Sequence, residues 1–399
     1  MKTFDVIIIG AGILGLSTAF KLTEKNPSLK ICIIEKENSC AFHQTGHNSG
    51  VIHSGIYYKP GSLKAQNCRK GYNMLLEFCN KYNVKYEICG KIIIATKEKE
   101  LEPLNELYNR GIENGLEGMR IINENEIKAY EPFAAGLKAL HVPQTGITDF
   151  KIVSLKISGL ILSKGVKIFY NETAEKIERT GNETKLTSDK KLYSAKVIVS
   201  CAGLYSDKIA ELSDSNINFR IIPFRGEYYK LKDSSRQFVR NLIYPVPDPE
   251  FPFLGVHFTR RISGIVEAGP NAVLAFKKEG YGKFDFNLKD VIDTLSFKGF
   301  QKVIFKYWKT GFYEMYRSLS KNEFVKSLQK LIPGISSDDI EPCGSGVRAQ
   351  ACDINGNLID DFLIMENKYI INVCNAPSPA ATSCFSIGDT ISDKVLNKF

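Results

Sequence analysis

The chain has 399 residues, of which 43% are hydrophobic and 24% are charged, and its formal net charge is +9. This composition excludes a disordered chain, and the length exceeds the usual size of a single core, so two domains are expected. The lysines are dispersed without a strongly basic tract, which argues against nucleic-acid binding, and no apolar stretch is long enough to span a membrane.

The ten cysteines form no CxxC pair and no His/Cys cluster with metal-ligand spacing, so no metal site is predicted. Several of them, such as Cys32 and Cys374, lie inside apolar runs. This pattern is typical of free, buried thiols in a reducing cytoplasm. The short apolar run before Gly10 predicts a first strand rather than a signal peptide.

The first 35 residues follow the order strand, glycine turn, helix, strand, acid. Gly10 permits the tight turn, Gly12 lets a pyrophosphate approach the backbone, and Gly15 allows close packing of helix on strand. Glu35, twenty residues after Gly15, is placed to accept hydrogen bonds from a ribose. The segment therefore predicts dinucleotide binding. The predicted elements are strand 6–9, turn 10–15, helix 16–25 and strand 31–34.

A polar, glycine-rich segment at 43–58 follows and holds three of the five histidines. Loops of this composition commonly approach a ligand, although a plain surface loop is the alternative. Farther on, the pattern predicts an insertion of different structure and then a return to strand-turn-helix units. The predicted elements are helix 63–80, strand 89–95, helix 98–114, helix 150–165, strands 166–171, 174–179 and 183–187, and strand 195–203 followed by a helix to 212.

Residues 218–280 are rich in β-branched and aromatic residues with turn signals such as Asp248-Pro249, which predicts an antiparallel sheet. Residues 288–331 are predicted as helices, and strand 369–374 leads through a turn at 375–379 into helix 380–396. The predicted fold class is α/β. A discontinuous Rossmann-like FAD-binding domain accompanies an α+β substrate (cap) domain with a mixed or antiparallel sheet. The predicted domains are 1–80, 147–215 and 340–399 for the cofactor, and 81–146 and 216–339 for the cap.

The glycine turn does not distinguish NAD from FAD, but the segments after it favour FAD. An NAD domain usually continues with more strand-helix units, whereas this chain enters the 43–58 loop and returns to the sheet near Val197. FAD is long, and a second helix N-terminus, after 375–379, is suited to stabilise negative charge on a reduced flavin.

The chain resembles the FAD-dependent D-amino-acid oxidase superfamily and, more closely, the L-2-hydroxyglutarate oxidase/dehydrogenase family. The resemblance implies oxidation of L-2-hydroxyglutarate to 2-oxoglutarate with non-covalent FAD. A hydride passes from substrate C2 to flavin N5, then electrons pass to oxygen or a membrane quinone, in bacteria as part of lysine breakdown. The motifs that carry the resemblance, in the family's order, are 43–58 with 60–65, 223–229, 252–260, 269–276, 346–350 and 375–382.

The implied reaction needs a base at the substrate hydroxyl and cations for two carboxylates. His53 is the first candidate base and His257 the second, and a histidine that only hydrogen-bonds substrate or flavin is the alternative for either. Arg348 is expected to bind one carboxylate and Arg225 the other, unless each forms a structural salt bridge. Tyr57 and Tyr58 are expected to close the pocket or to serve only in packing. His43 and His47 are expected to position the loop and the FAD, and His141 is given no role.

The resemblance also implies a set of FAD-binding positions along the chain. These are Gly10, Gly12, Ile13, Leu14, Gly15, Glu35, Lys36, Thr45, Ser49, Gly50, Val51, Ala174, Ala202, Gly203, Pro377, Ser378, Ala380, Ala381 and Thr382.

Aromatic residues and lysines alternate along 297–317, a pattern of helices at a membrane interface and also of ordinary packed helices. The cysteines indicate a cytoplasmic protein. The pattern at 297–317 adds the hypothesis that it binds peripherally to the inner face of the cell membrane. The partners expected are a small dicarboxylate and a quinone, and the sequence defines no oligomeric state. The alternatives are a glycerol-3-phosphate or amino-acid oxidase of the same fold, an NAD-dependent dehydrogenase, or a non-catalytic flavin-binding protein.

Overall fold

The computed structural model describes residues 1–181, 183–214, 216–248 and 254–399. Part of the turn predicted at Asp248-Pro249, and the start of the 252–260 motif, lie outside the described residues. Within those ranges the helices are α1 Ile13–Lys25, α2 Leu63–Tyr82, α3 Leu101–Glu113, α4 Glu124–Tyr130, α5 Phe150–Ser163, α6 Ser206–Glu211, α7 Leu288–Ser296, α8 Lys298–Leu319, α9 Lys321–Gln329 and α10 Cys384–Leu396.

The strands follow the chain from one end to the other. They are β1 Lys2–Ile9, β2 Ile31–Ile34, β3 Val51–Ile52, β4 Tyr86–Glu87, β5 Lys91–Ala95, β6 Arg120–Asn123, β7 Lys138–Val142, β8 Gly146–Thr148, β9 Lys167–Phe169, β10 Ala174–Thr180, β11 Glu183–Ser188, β12 Leu192–Ser200, β13 Phe219–Leu231, β14 Leu242–Pro245, β15 His257–Arg260, β16 Val266–Gly269, β17 Val273–Leu274, β18 Ile340–Asp353, β19 Leu363–Glu366 and β20 Ile370–Asn375.

The first sheet joins distant parts of the chain around a parallel centre. Strand β1 lies between β2 and β12, β9 extends the sheet beyond β2, and the end of β12 pairs in parallel with β20. The buried aliphatic side chains of β1 and β2 face helices α1, α2, α5 and α10 on one side. The strand-turn-helix units at the two ends of the chain are therefore neighbours, as expected for one discontinuous cofactor domain.

The second sheet lies opposite the glycine turn at 10–15. Its order is β17-β13-β16-β15-β14-β5-β7-β6, with β18 along β13, and all pairs are antiparallel except β14 with β5. The mixed sheet expected for the cap is thus confirmed. A smaller sheet of β3, β8 and β4 lies beside the polar loop.

Two boundaries differ from the sequence prediction. Strand β18 spans 340–353, which was assigned to the cofactor domain, yet it pairs with β13 in the second sheet. We therefore propose counting these residues with the cap domain. The last helix begins at Cys384 rather than Ala380, because residues 377–383 form turns closed by backbone bonds such as Ser383 N–H to the Pro379 carbonyl at 2.9 Å.

Candidate active site

A cavity of about 1480 Å³ lies where the two ends of the chain meet the second sheet. Its wall combines the first glycine turn, the polar loop, strands of the second sheet and the segment Pro377–Thr382. A large cavity lined by elements from two sheets is the expected position of a cofactor and substrate site.

Each glycine of the first turn has the geometry that its predicted role needs. Gly10 has φ +100°, and a Cβ there would lie 2.6 Å from the Cys201 carbonyl oxygen. A Cβ at Gly15 would lie 2.0 Å from the Gly10 carbonyl oxygen, so close packing excludes any other residue. Gly12 is the N-cap of α1 and has no side chain to cap the helix, and the N–H of Ile13 donates to Thr45 Oγ1 at 3.1 Å. The turn and helix N-terminus can therefore receive an anion such as a pyrophosphate.

Glu35, which follows β2, binds the backbone of the glycine turn and also lines the cavity. Glu35 is buried, and its two carboxylate oxygens accept the backbone N–H groups of Ala11 at 2.7 Å and Glu37 at 2.9 Å. Both oxygens keep a lone pair for a ribose hydroxyl. The neighbouring Lys36 also lines the cavity, but its ammonium lies 2.6 Å from a carboxylate oxygen of Glu279.

The polar loop is fixed by its own side chains. His43 contacts the carboxylates of Glu37 and Glu279, each at 2.9 Å, and these carboxylates raise its pKa above the ordinary value although its burial opposes them. The His47 ring stacks on Tyr281 with centroids 4.2 Å apart. Both histidines therefore position the loop, as expected from the sequence.

Most residues predicted to bind the cofactor line this one cavity. Gly15 and Gly50 do not: Gly50 has φ +73°, and a Cβ there would lie 2.5 Å from the Thr148 carbonyl oxygen. Their roles lie in backbone packing. The predicted cofactor residues on the cavity wall are Gly10, Gly12, Ile13, Leu14, Glu35, Lys36, Thr45, Ser49, Val51, Ala174, Ala202, Gly203, Pro377, Ser378, Ala380, Ala381 and Thr382.

The two candidate bases both line the cavity and are both neutral at neutral pH. Burial, with a smaller contribution from the positive charge of Lys91, lowers the pKa of His53 to about 3 and that of His257 to about 4. The His53 N–H donates to Thr382 Oγ1 at 3.0 Å, and its ring Nε2 lies 3.3 Å from Ser378 Oγ. His257 Nδ1 lies 2.8 Å from the Gly255 carbonyl oxygen, which makes Nδ1 the protonated nitrogen and leaves Nε2 as an acceptor.

The two predicted arginines have different surroundings. Arg348 is partly buried on the cavity wall, and burial lowers its pKa while the nearby Asp360 and Tyr58 oppose that effect. Arg225 is only 2% exposed, and its guanidinium donates to Glu227 at 3.0 and 3.2 Å and to the Gly282 carbonyl at 2.8 Å. Glu227 therefore already neutralises Arg225, which corrects the expectation that this arginine binds the second carboxylate.

Aromatic side chains form much of the remaining wall. Tyr57 and Tyr58 line the cavity as predicted, and burial raises the pKa of both well above the ordinary range. Tyr244 and Tyr228, which sequence reasoning did not select, lie on the same wall. Lys91, behind Tyr57 and Tyr244, was also missed, although a lysine at the start of an otherwise aliphatic strand was a usable signal.

Comparisons with known proteins agree with this architecture. Residues 5–394 match the model of the DAO family, described as FAD dependent oxidoreductase. The fold is shared with an FAD-bound L-alpha-glycerophosphate oxidase from Mycoplasma pneumoniae, at a TM-score of 0.82 and 22% identity over 100% of this chain and 95% of that one. Glycine oxidase from Geobacillus kaustophilus gives a TM-score of 0.74 at 14% identity, covering 100% of this chain and 96% of that one. The fold and cavity are those of an FAD-dependent oxidoreductase.

Sequence relatives define the group more narrowly. The chain is 52% identical to an L-2-hydroxyglutarate dehydrogenase of Indibacter alkaliphilus over 99% of this chain and 100% of that one. It is 43% identical to the L-2-hydroxyglutarate dehydrogenase of Escherichia coli, over 98% and 93%, and 44% identical to the human mitochondrial one, over 100% and 90%. The chain therefore belongs to the FAD dependent oxidoreductase family and, within it, to the L-2-hydroxyglutarate dehydrogenases.

The cofactor of this family is FAD, and the residues present fit it. The N-terminus of α1, where the N-cap Gly12 has no side chain, and the glycine turn at Gly10 suit the pyrophosphate, and Glu35 suits a ribose. When bound, FAD supplies the two-electron acceptor of the oxidation.

Proposed function

We propose that the protein oxidises L-2-hydroxyglutarate to 2-oxoglutarate with FAD as the electron acceptor. The observation that carries this proposal is the cavity itself. It brings the FAD-binding turn together with two histidines that stay neutral and an arginine suited to a carboxylate. The identity of 52% to a dehydrogenase with this name supports the choice of substrate.

We assign the proton transfer to His53. Removing the hydride from substrate C2 requires that a base take the proton of the hydroxyl, and a neutral imidazole is such a base. The His53 backbone N–H bonds Thr382, and its ring contacts Ser378, in the segment predicted to touch the flavin, which supports a position beside the cofactor. His257, oriented by the Gly255 carbonyl, is suited to hydrogen-bond the substrate from the second sheet.

We assign to Arg348 the carboxylate next to the reacting carbon. An arginine offers paired N–H donors that match a carboxylate, and Tyr57 and Tyr58 lie on the same wall. Held in this way, the substrate has its C2 carbon in a defined place, which supplies the orientation that hydride transfer needs.

The test is an anaerobic absorption spectrum of the purified, yellow protein before and after addition of L-2-hydroxyglutarate. We expect the flavin bands to bleach and an equal amount of 2-oxoglutarate to form. Bleaching by glycerol 3-phosphate, L-malate or glycine but not by L-2-hydroxyglutarate would assign another oxidase activity. A colourless protein would indicate an NAD-dependent enzyme, and retained FAD without bleaching a non-catalytic flavoprotein.

We also propose that helix α8 contacts an anionic membrane surface, which would bring the protein close to a quinone. Among the described residues no helix is long and apolar enough to cross a membrane. One side of α8 packs on the second sheet through Phe300 and Val303, while Phe305 is 86% exposed, Phe312 73% and Trp308 52%. Lysines interleave with these aromatics, the composition of a helix lying in a lipid interface.

Co-sedimentation with vesicles containing phosphatidylglycerol tests this contact. We expect the wild-type protein to sediment with the vesicles at low salt and the double variant Phe305→Ser/Phe312→Ser to remain in the supernatant. Leu162→Ser, which removes an apolar side chain of α5 that is 48% exposed, is the control and should bind as the wild type does. Wild-type protein that stays in the supernatant at low salt would contradict the proposal.

A further inference from the structure

A buried lysine lies behind the aromatic wall of the cavity. Lys91 is the first residue of β5, where it pairs in register with Val142 of β7, and it is only 2% exposed. The rest of that strand is aliphatic and fully buried. Its position is therefore inside the second sheet, where a lysine without a partner is unusual.

The ammonium group of Lys91 faces rings and not carboxylates. Nζ lies 4.2 Å from the ring centroid of Tyr57 and 5.1 Å from that of Tyr244. The ionisable groups that interact with it are Cys68, His53 and His257, and among the described residues no hydrogen-bond acceptor is in reach of Nζ. The two tyrosines and both histidines line the cavity, so Lys91 lies directly behind that wall.

The other buried lysines and arginines near the cavity are neutralised within the fold. Arg225 is paired with Glu227 at 3.0 Å, Lys278 with Asp207 at 2.7 Å, and Lys64 with Asp360 at 2.8 Å. Among the residues that the structure describes, Lys91 contacts the faces of two aromatic rings and no hydrogen-bond acceptor. An unpaired buried ammonium costs several kcal/mol, and two cation–π contacts offset only part of that cost. Accordingly, burial lowers the pKa of Lys91 to about 7.

We propose that Lys91 binds the substrate carboxylate that is remote from the reacting carbon, and so selects dicarboxylates over monocarboxylates. The inference rests on the proposed function, in which Arg348 holds the other carboxylate. Arg348, Tyr58 and Tyr244 line the same cavity, and Lys91 Nζ lies 5.1 Å from the Tyr244 ring centroid. Binding requires that Tyr57 or Tyr244 rotate so that Nζ reaches the cavity, where the entering carboxylate supplies the counter-charge.

The remote carboxylate is the same in substrate, transition state and product. Lys91 therefore contributes uniform binding, which changes KM and leaves kcat nearly unaltered. A monocarboxylic hydroxy acid leaves the ammonium without a partner, so its binding does not depend on this residue. These two consequences separate a specificity residue from one that only supports the fold.

The test compares wild-type holoenzyme with Lys91→Met, which keeps the length of the side chain without its charge. The substrates are L-2-hydroxyglutarate and L-2-hydroxybutyrate, which differ by the remote carboxylate. We expect the variant to lose about 10- to 100-fold in kcat/KM for L-2-hydroxyglutarate through KM, with kcat changed less than about threefold. The second-order rate constant of flavin reduction by L-2-hydroxybutyrate should change less than about threefold.

Lys91→Arg serves as the second variant, because it keeps the charge. It should recover part of the preference for the dicarboxylate. Equal losses on both substrates, unchanged KM for L-2-hydroxyglutarate, or a Lys91→Met protein that does not fold with FAD would each overturn the proposal and make Lys91 a structural residue.

Binding of glutarate, followed by the change in flavin absorbance, separates this proposal from the proposed function. Glutarate carries both carboxylates but has no hydroxyl to oxidise. If L-2-hydroxyglutarate failed to bleach the wild-type flavin, weaker glutarate binding by Lys91→Met would still support a dicarboxylate site at Lys91. Equal glutarate binding by both proteins would overturn the site itself.

Discussion

Two buried cations of the second sheet, Arg225 and Lys91, show how differently one fold treats positive charge. Arg225 is surrounded by a complete network. Glu227 accepts its hydrogen bonds and also those of Asn271 at 3.0 Å and Ser318 at 2.6 Å. Lys91 has no such acceptor among the described residues and contacts two tyrosine rings.

The difference indicates which cation is available to a ligand. A charge that is neutralised by its own fold can bind a substrate carboxylate only by giving up a partner, which costs about as much as the new contact contributes. A charge without an anion has no such loss and gains its counter-charge from the ligand. Burial of a cation therefore says little about function until its partners are known.

The largest expected effect is on stability at Arg225. Arg225→Met leaves the buried carboxylate of Glu227 without its main counter-charge, and we expect the free energy of unfolding to fall by about 3–5 kcal/mol in urea. Lys91→Met, the matched variant, removes a buried charge that has no anion among the described residues, so the free energy of unfolding should rise rather than fall. Equal destabilisation by both variants would remove the contrast between them.

Arg348 lies between these two cases, because it lines the cavity while Asp360 interacts with it electrostatically. Replacing it by methionine removes the paired donors for a carboxylate. We expect KM for L-2-hydroxyglutarate to rise about 10- to 100-fold with FAD still bound, measured by steady-state kinetics and flavin absorbance. Unchanged apparent affinity would exclude Arg348 from the site.

Much of the fold could be predicted because backbone geometry restricts residue choice. At Gly10 and Gly15 only glycine fits, so the turn, helix α1 and the acid at Glu35 could be identified from the motif. Residues 340–353 were assigned to the cofactor domain, whereas β18 pairs with β13 of the second sheet, which joins residues more than a hundred positions apart. Local pattern predicts a strand but not its distant partner.

The candidate site residues were chosen by residue type, and this choice took no account of which charged side chains are paired within the fold. Arg225 and Glu227 are two positions apart on one strand, so both side chains lie on the same face, and this spacing was a readable sign of an internal salt bridge. Lys91 was overlooked because its strand was interpreted only as core. A single charge in a fully buried strand should instead be treated as a candidate site.

The next expected effect, on the pH dependence of ligand binding, tests whether Lys91, unlike the paired Arg225, binds a ligand carboxylate. Anion binding favours the protonated form of Lys91, so affinity should fall as the pH rises through about 7, the pKa that burial gives this group. We expect glutarate to bind wild-type protein about tenfold more weakly at pH 8 than at pH 6, measured by flavin absorbance. Lys91→Arg, which stays protonated, should bind equally at both pH values. Wild-type affinity that does not change with pH would contradict a titrating lysine in the site.

The smallest expected effect is on the titration of His53, which Lys91 influences across the cavity wall. A histidine must be neutral to act as a base, and burial together with the charge of Lys91 lowers the pKa of His53 to about 3. The kcat/KM of the wild-type protein should therefore not fall as the pH decreases from 7 to about 5, whereas an ordinary histidine would lose activity near its pKa of roughly 6.5. Lys91→Met removes a repelling charge, so its acid limb should move to higher pH, by less than about one unit because burial remains the larger cause. His141→Asn, which alters a histidine given no role, is the control and should keep the wild-type profile. A fall in the wild-type kcat/KM as the pH decreases below about 6.5 would mean that His53 is not held neutral. Lys91 would then have no measurable influence on His53.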